Sequence, residues 1–139
     1  MSADYSIFIK TSDSLAEIRA CFENASNCTM NQAPNDDNEF YYVKLLGLGV
    51  NLYGDLTYEG ELIYQDSKLP LSQYNYAISI DYIPSSYIRD YRDEWTEMFS
   101  TITADIISMN LHCECIVVRN MQTVLTRFTP GEQIFIQHT

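Results

Sequence analysis

Positive charge is scarce in this chain. Eight of its 139 residues are Lys or Arg against nineteen Asp and Glu, for a formal net charge of −11. A field of that sign repels phosphate backbones and anionic headgroups, so no direct nucleic-acid partner and no membrane partner are expected. Histidine is nearly absent. His112 and His138 leave little from which to build a nucleophile, base and orienter, and neither lies in a GxSxG-type flank. Glycine is sparse, and there is no P-loop or GxGxxG. Gly47 and Gly49 give GLG inside an apolar run, without a third glycine or a following helix, and read as a bulge or close backbone approach. No apolar stretch nears the roughly 18 residues of a membrane span. MSADYSIFIK has neither a basic n-region nor an apolar h-region, so no export signal is expected. Repeats, low-complexity tracts and Gly/Ser linkers are missing, which points to a single α+β domain over 1–139.

Cysteine is confined to Cys21, Cys28, Cys113 and Cys115. With no export signal, the simplest setting is a reducing cytoplasm with free thiols. The Asn24-Ala25-Ser26 and Asn27-Cys28-Thr29 glycosylation patterns then read as chance. His112-Cys113-Glu114-Cys115 offers zinc-type donors, but LHCECIVV has strand character. Alternation puts Leu111, Cys113, Cys115 and Val117 on one face, where small thiols suit a core. The CxxC knuckle is absent, so neither a metal nor a cofactor is expected.

What the chain has is hydrophobic patterning and tyrosine. Hydrophobic residues make up 46%, with eleven Tyr and six Phe, enough for a packed core. Tyr5, Ile7 and Ile9 alternate in a first strand over 5–10. Ser14 and Glu17 form a capping-box pattern, and Leu15, Ile18, Phe22 and Ala25 make the stripe of a first helix stopping near Asn27. A polar loop over 31–39 precedes strands over 40–46 and 48–53, the second separate or a bulged continuation. Residues 54–70 read as a loop or irregular hairpin. In the strand over 73–83, Tyr74, Tyr76, Ile78, Ile80 and Tyr82 share one face, and Asn75, Ala77, Ser79 and Asp81 the other. Pro84 stops it.

A second helix from about Ser86 to Met109 repeats Trp95, Met98, Phe99, Ile102, Ile106 and Met109 at spacings of three and four, the pattern of a dominant core helix. Its opening acids, Asp90, Asp93, Glu94 and Glu97, suit the positive end of the helix dipole, with Arg89 and Arg92 at pairing distance. Strands over 113–119 and 123–128 close a hairpin at Asn120, and Ile134–Ile136 adds a short edge strand or trails along the surface. Two helices cannot cover both faces of such a sheet. The expectation is a two-layer sandwich: a largely antiparallel, five- to six-stranded sheet with both helices on one face and the other face free for docking.

The acids are unevenly placed. Residues 1–66 carry eleven acids and three bases, a net of −8. Within YGDLTYEGELIYQD, Asp55, Glu59, Glu61 and Asp66 interleave with Tyr53, Tyr58 and Tyr64, without a base. Acids steer a basic partner, and Tyr gives contact area at low rotamer cost. These residues, with Asp36, Asp37 and Glu39, are the candidate partner-binding set. The alternative is a solvated acidic loop with its tyrosines folded under it.

The run YYVKLLGLGVNLYGD…LPLSQYNYAISIDYI, then a long helix, then CECIVVRNMQTVLTRF, is similar over roughly 40–128 to small bacterial immunity proteins of contact-dependent inhibition and other polymorphic toxin systems. Such families are defined by overall sequence, so the resemblance carries over no particular residue. It implies a cytoplasmic protein, not an enzyme, that binds and neutralises one cognate toxin domain, commonly a nuclease. A nuclease must attract phosphate, so its cleft is basic and complementary to an acidic, Tyr-rich surface. The oligomeric state, monomer or homodimer, stays open. So do a small-ligand-binding or enzymatic α+β domain with a pocket between helices and sheet, and a housekeeping adaptor.

Overall fold

The computed structural model describes residues 3–33, 40–54, 58–84 and 89–130. Its elements are strands β1 (Tyr5–Lys10), β2 (Asn31–Gln32), β3 (Phe40–Leu45), β4 (Leu48–Gly54), β5 (Glu61–Tyr64), β6 (Ser67–Pro70), β7 (Tyr76–Tyr82), β8 (Glu114–Arg119) and β9 (Thr123–Phe128), with helices α1 (Leu15–Ser26) and α2 (Arg92–Leu111). The main sheet runs β2-β3-β4-β7-β1-β8-β9 with every neighbour antiparallel; β5 and β6 form a separate hairpin. The fold is the expected α+β sandwich; the hairpin alternative over 54–70 is realised as β5–β6, and Asn31–Gln32, expected as the start of a polar loop, instead adds the edge strand β2 by pairing with Tyr42 and Tyr41. No helix among the described residues is long and apolar enough to cross a membrane.

α1 begins where its chemistry dictates. The Ser14 hydroxyl accepts from the Glu17 N–H at 3.2 Å, and a Glu17 carboxylate oxygen accepts from the Ser14 N–H at 3.1 Å. Asn27 closes the helix in the left-handed region, with φ 54°. Leu15, Ile18 and Phe22 are buried against the sheet face carrying Ile7, Ile9, Val50, Leu52, Ile78, Ile80, Cys115 and Val117. Each such side chain contributes roughly 1.5–3 kcal/mol on burial. Cys113 and Cys115 are buried in this layer, as alternation predicted, and Ala25 at the end of the α1 stripe is exposed.

α2 packs differently from expectation. Its buried face is Thr96, Ser100, Thr103, Ala104, Ile107 and Ser108. The large residues of the predicted stripe roll outward: Trp95, Phe99 and Ile106 are half-buried, and Met98, Ile102 and Met109 are exposed. Small side chains let the helix approach the sheet closely. Their hydroxyls are satisfied locally, Ser100 donating to the Thr96 carbonyl and Ser108 to the Cys113 carbonyl, both at 2.7 Å. The helix starts at Arg92, after a 3₁₀ turn over Arg89–Tyr91, rather than near Ser86; residues 85–88 lie outside the described set. His112 is the exposed left-handed cap of α2 and does not open a strand.

The far face of the sheet is only half open. The β5–β6 hairpin lies over Phe8, Ala77, Ile116 and Val118 and builds a second core with Leu62, Leu69, Leu71, Tyr74 and Val124. Its turn is Gln65-Asp66, both at positive φ (50° and 67°), which suits a two-residue hairpin connection. Tyr74 belongs to this second core rather than to the Tyr76–Tyr82 face. A 3₁₀ turn over Leu71–Gln73 precedes it, and regular alternation starts only at Tyr76. Gly47 is not a bulge: Leu46 and Gly47, at φ 53° and 83°, form the two-residue turn between β3 and β4. Gly49 has room for a side-chain carbon, 3.8 Å from the Asp81 carbonyl, so it marks no close approach.

Candidate interaction surface

The open half of the far face is built by β3, β4 and β7. Alternation sends Phe40, Tyr42 and Lys44 of β3, Asn51 and Tyr53 of β4, and Ser79 and Asp81 of β7 to this side. Phe40 pairs with Tyr53 across β3 and β4, and Tyr53 with Ala77 across β4 and β7. The Phe40 and Tyr53 rings stack at 4.8 Å and 7°, and Tyr42 stands 6.0 Å from Phe40. Flat aromatics beside a polar strip offer apolar anchoring and hydrogen bonding in one patch. The Tyr53 phenol is raised above its usual range, by burial first and by the Asp81 carboxylate second. It therefore stays a neutral hydrogen-bond donor near neutral pH.

The Phe40–Tyr53 pairing also fixes where the acidic segments attach. Residues 34–39 enter the sheet at Phe40, and 55–57 leave it just past Tyr53, so both join the same end of one hairpin. Asp36, Asp37, Glu39 and Asp55 themselves lie outside the described residues. The other predicted residues divide. Glu59, Glu61 and Asp66 are exposed along the β5–β6 hairpin. Lys68 faces Glu61 across that hairpin at 3.7 Å, so the stretch is less purely acidic in space than in sequence. Tyr58 and Tyr64 are half-buried against the second core, with Tyr58 edge-on to Phe8 at 5.0 Å and 87°. Their rings seat the hairpin, and only Tyr53 of the three predicted tyrosines lies on the open face.

Asn75 is used by the fold. Its amide oxygen accepts from the Thr11 N–H at 3.1 Å, and its amide nitrogen donates to the Thr11 carbonyl at 2.8 Å. Sequence reasoning did not single out Phe40, Tyr42 or Asn51. The signal was present in FYYVKL, whose period-two pattern carries aromatics to both faces. Among the described residues, no three His, Cys, Asp or Glu side chains converge as a metal site. Comparison with family models, with curated proteins and with solved structures gives no match.

Proposed function

We propose that this chain is a cytoplasmic immunity protein that binds and neutralises a cognate toxin domain, a basic nuclease in chemical class, through the open sheet face and the acidic segments joined to it. The observation that supports this most is the Phe40–Tyr53 pairing. It puts a stacked aromatic pair beside the attachment points of two segments carrying Asp36, Asp37, Glu39 and Asp55. Acids there steer a cationic cleft inward, and rings supply the desolvated anchors that charge alone lacks. No catalytic group, metal or cofactor takes part.

The test is association kinetics against the toxin domain encoded beside this gene, at two salt concentrations of roughly 50 and 300 mM. Neutralising Asp36, Asp37, Glu39 and Asp55 together slows association by about tenfold at low salt and flattens its salt dependence, with the thermal melt unchanged. Neutralising Glu59, Glu61 and Asp66 slows it less. Unchanged rates in both variants would remove this surface from the interface, and absence of any neighbouring toxin domain bound by the protein would remove the immunity reading itself.

A further inference from the structure

The helix layer carries a second surface of different chemistry. Between α1, α2 and the β3–β4 turn runs an apolar cavity of about 370 Å³, lined chiefly by Phe22, Leu45, Trp95, Phe99, Ile102 and Ile106. It does not end at its own walls. Leu46 is 64% exposed, Met98 54%, Ile102 52% and Met109 47%, so bare apolar surface extends along α2 well beyond the hollow. From Trp95 to Met109 that strip spans about 21 Å of helix. A small molecule filling the hollow leaves most of the strip wet. Contiguous apolar exposure of this kind marks an interaction site, and methionines make such a site adaptable.

The groove is rigidly framed. The Trp95 indole N–H donates to the Leu46 carbonyl at 3.0 Å, and the Ile83 N–H donates to the Gly47 carbonyl at 3.1 Å. The turn is thereby pinned to α2 on one side and to the end of β7 on the other. Its flank is acidic. Glu94 lies one turn before Met98 and Asp105 one turn before Met109, and Glu97 lines the adjoining furrow that Met98 and Ile102 also border. Among the described residues, none of the three enters an ion pair. The one base on α2, Arg92, lies over the Tyr82 ring at 5.8 Å, and Arg119 stands in the adjoining furrow with Asp93 and Glu97. A second copy would put two acidic flanks into one interface, because a twofold contact uses the same patch on both chains, and each chain already carries −11.

We infer that the groove framed by α1, the Leu46-Gly47 turn and α2 docks a cationic amphipathic helix of another protein, with apolar side chains over Trp95, Phe99 and Ile102 and Lys or Arg against Glu94, Glu97 and Asp105. An apolar face in a groove with charges along the flank is the helix-in-groove mode of recognition. This does not rest on the toxin reading, since the site lies on the opposite layer from the open sheet face and has its own anchors.

Trp95 is the only tryptophan in the chain and lines the groove, so its fluorescence reports occupancy directly. The probe is a Leu/Lys peptide of about fourteen residues with its leucines on one helical face. It is compared with a scrambled peptide of the same composition and with a Leu/Glu version. The expected result is saturable quenching or a blue shift with the facial Lys peptide, weakened at high salt. The other two should bind about tenfold more weakly or worse. The double variant Met98→Gln/Ile102→Gln changes two exposed side chains and should retain the fold by circular dichroism while losing about tenfold in affinity. Three results would overturn the inference. Equal binding of the scrambled peptide means net charge alone attracts it. A wild-type dimer in sedimentation, dissociated by the double variant, means a second copy covers the face. A groove that takes the peptide only after deletion of 131–139 means the chain's own end covers it.

Discussion

The Tyr74 hydroxyl donates a hydrogen bond to the Glu114 carboxylate across the second core, joining residues forty positions apart. The other Glu114 oxygen accepts from the Arg127 guanidinium at 3.1 Å. Burial acts to raise the Glu114 pKa, but the Arg127 and Tyr74 hydrogen bonds and the Arg127 charge prevail, so it lies below the usual glutamate value. Burial and the adjacent carboxylate hold Tyr74 well above the usual phenol range, so it remains the donor. A depressed carboxylate pKa stabilises the fold fully above the unfolded value of about 4.3, and the contribution fades as pH falls through the lower folded value. Glu114→Gln is therefore expected to cost about 2 kcal/mol at pH 7. The gap to wild type should narrow as pH falls below about 4.3. Urea midpoints from pH 7 to 3 check this; comparing variant with wild type cancels the relief of self-repulsion that any acidic protein gains on acidification. A gap independent of pH would show that the pair is not ionic in the fold.

The roll of α2 makes an opposite pair of predictions. Residues of the apparent core stripe, half-buried or exposed, should be cheap to truncate: Met98→Ala and Met109→Ala within about 0.5 kcal/mol, Trp95→Ala and Phe99→Ala about 1–2 kcal/mol rather than the 3–5 of a fully buried ring. Ser100 and Ala104, fully buried where helix meets sheet, should not accept bulk. Ser100→Leu or Ala104→Leu is expected to cost about 1–3 kcal/mol by overpacking. Chemical denaturation of the six variants decides, and a Met98→Ala loss as large as that of Ala104→Leu would show that the stripe is core after all.

That roll also shows where the sequence was legible. Ser14 with Glu17, the alternation over 76–82 and the buried Cys113 and Cys115 were all readable, because each depends on neighbours a few positions apart. Hydropathy misled on α2. Thr96, Ser100 and Ser108 look polar in a list of residues, yet their hydroxyls bond the backbone nearby and leave a small surface suited to close packing. The β5–β6 hairpin was legible only as one of two alternatives over 54–70, loop or irregular hairpin, because Gln65-Asp66 lacks the glycine that usually marks such a turn. Tyr74 was misplaced because one 3₁₀ turn resets the register that alternation assumes. The candidate surface was half legible: acids and tyrosines were visible in the sequence, but only the β3–β4 register shows that Tyr53 has Phe40 for a neighbour.

Thiol chemistry should follow burial. Cys113 and Cys115 are buried with their sulfurs 3.9 Å apart, while Cys21 and Cys28 are half-buried. Burial raises the Cys21 thiol above its usual range, which slows its reaction. The native protein should therefore react with an aromatic disulfide reagent slowly, at Cys21 and Cys28 only, and expose all four thiols in denaturant. Elemental analysis should find no stoichiometric metal. One zinc per chain, lost in Cys113→Ser, would revive the His112–Cys115 cluster as a site.

Rings on the two halves of the far face should respond differently to truncation. Tyr58 sits edge-on to Phe8 beneath the β5–β6 hairpin, so Tyr58→Ala removes a support of the second core and should lower stability by about 1–2 kcal/mol whether or not a partner is present. Tyr42 is 38% exposed on the open half, and Tyr42→Ala should leave the melt within about 0.5 kcal/mol of wild type. Tyr53 lies between these cases, since its loss also unstacks Phe40. If the open half is the docking face, Tyr42→Ala and Tyr53→Ala should speed dissociation from the toxin domain about tenfold with little change in association, because short-range packing acts after encounter while charge acts before it. Tyr58→Ala should dissociate at the wild-type rate once compared at matched folded fraction. The measurement is dissociation kinetics alongside thermal melts for the same three variants. Faster release in Tyr58→Ala alone would move the docking face from the open half of the sheet to the β5–β6 hairpin.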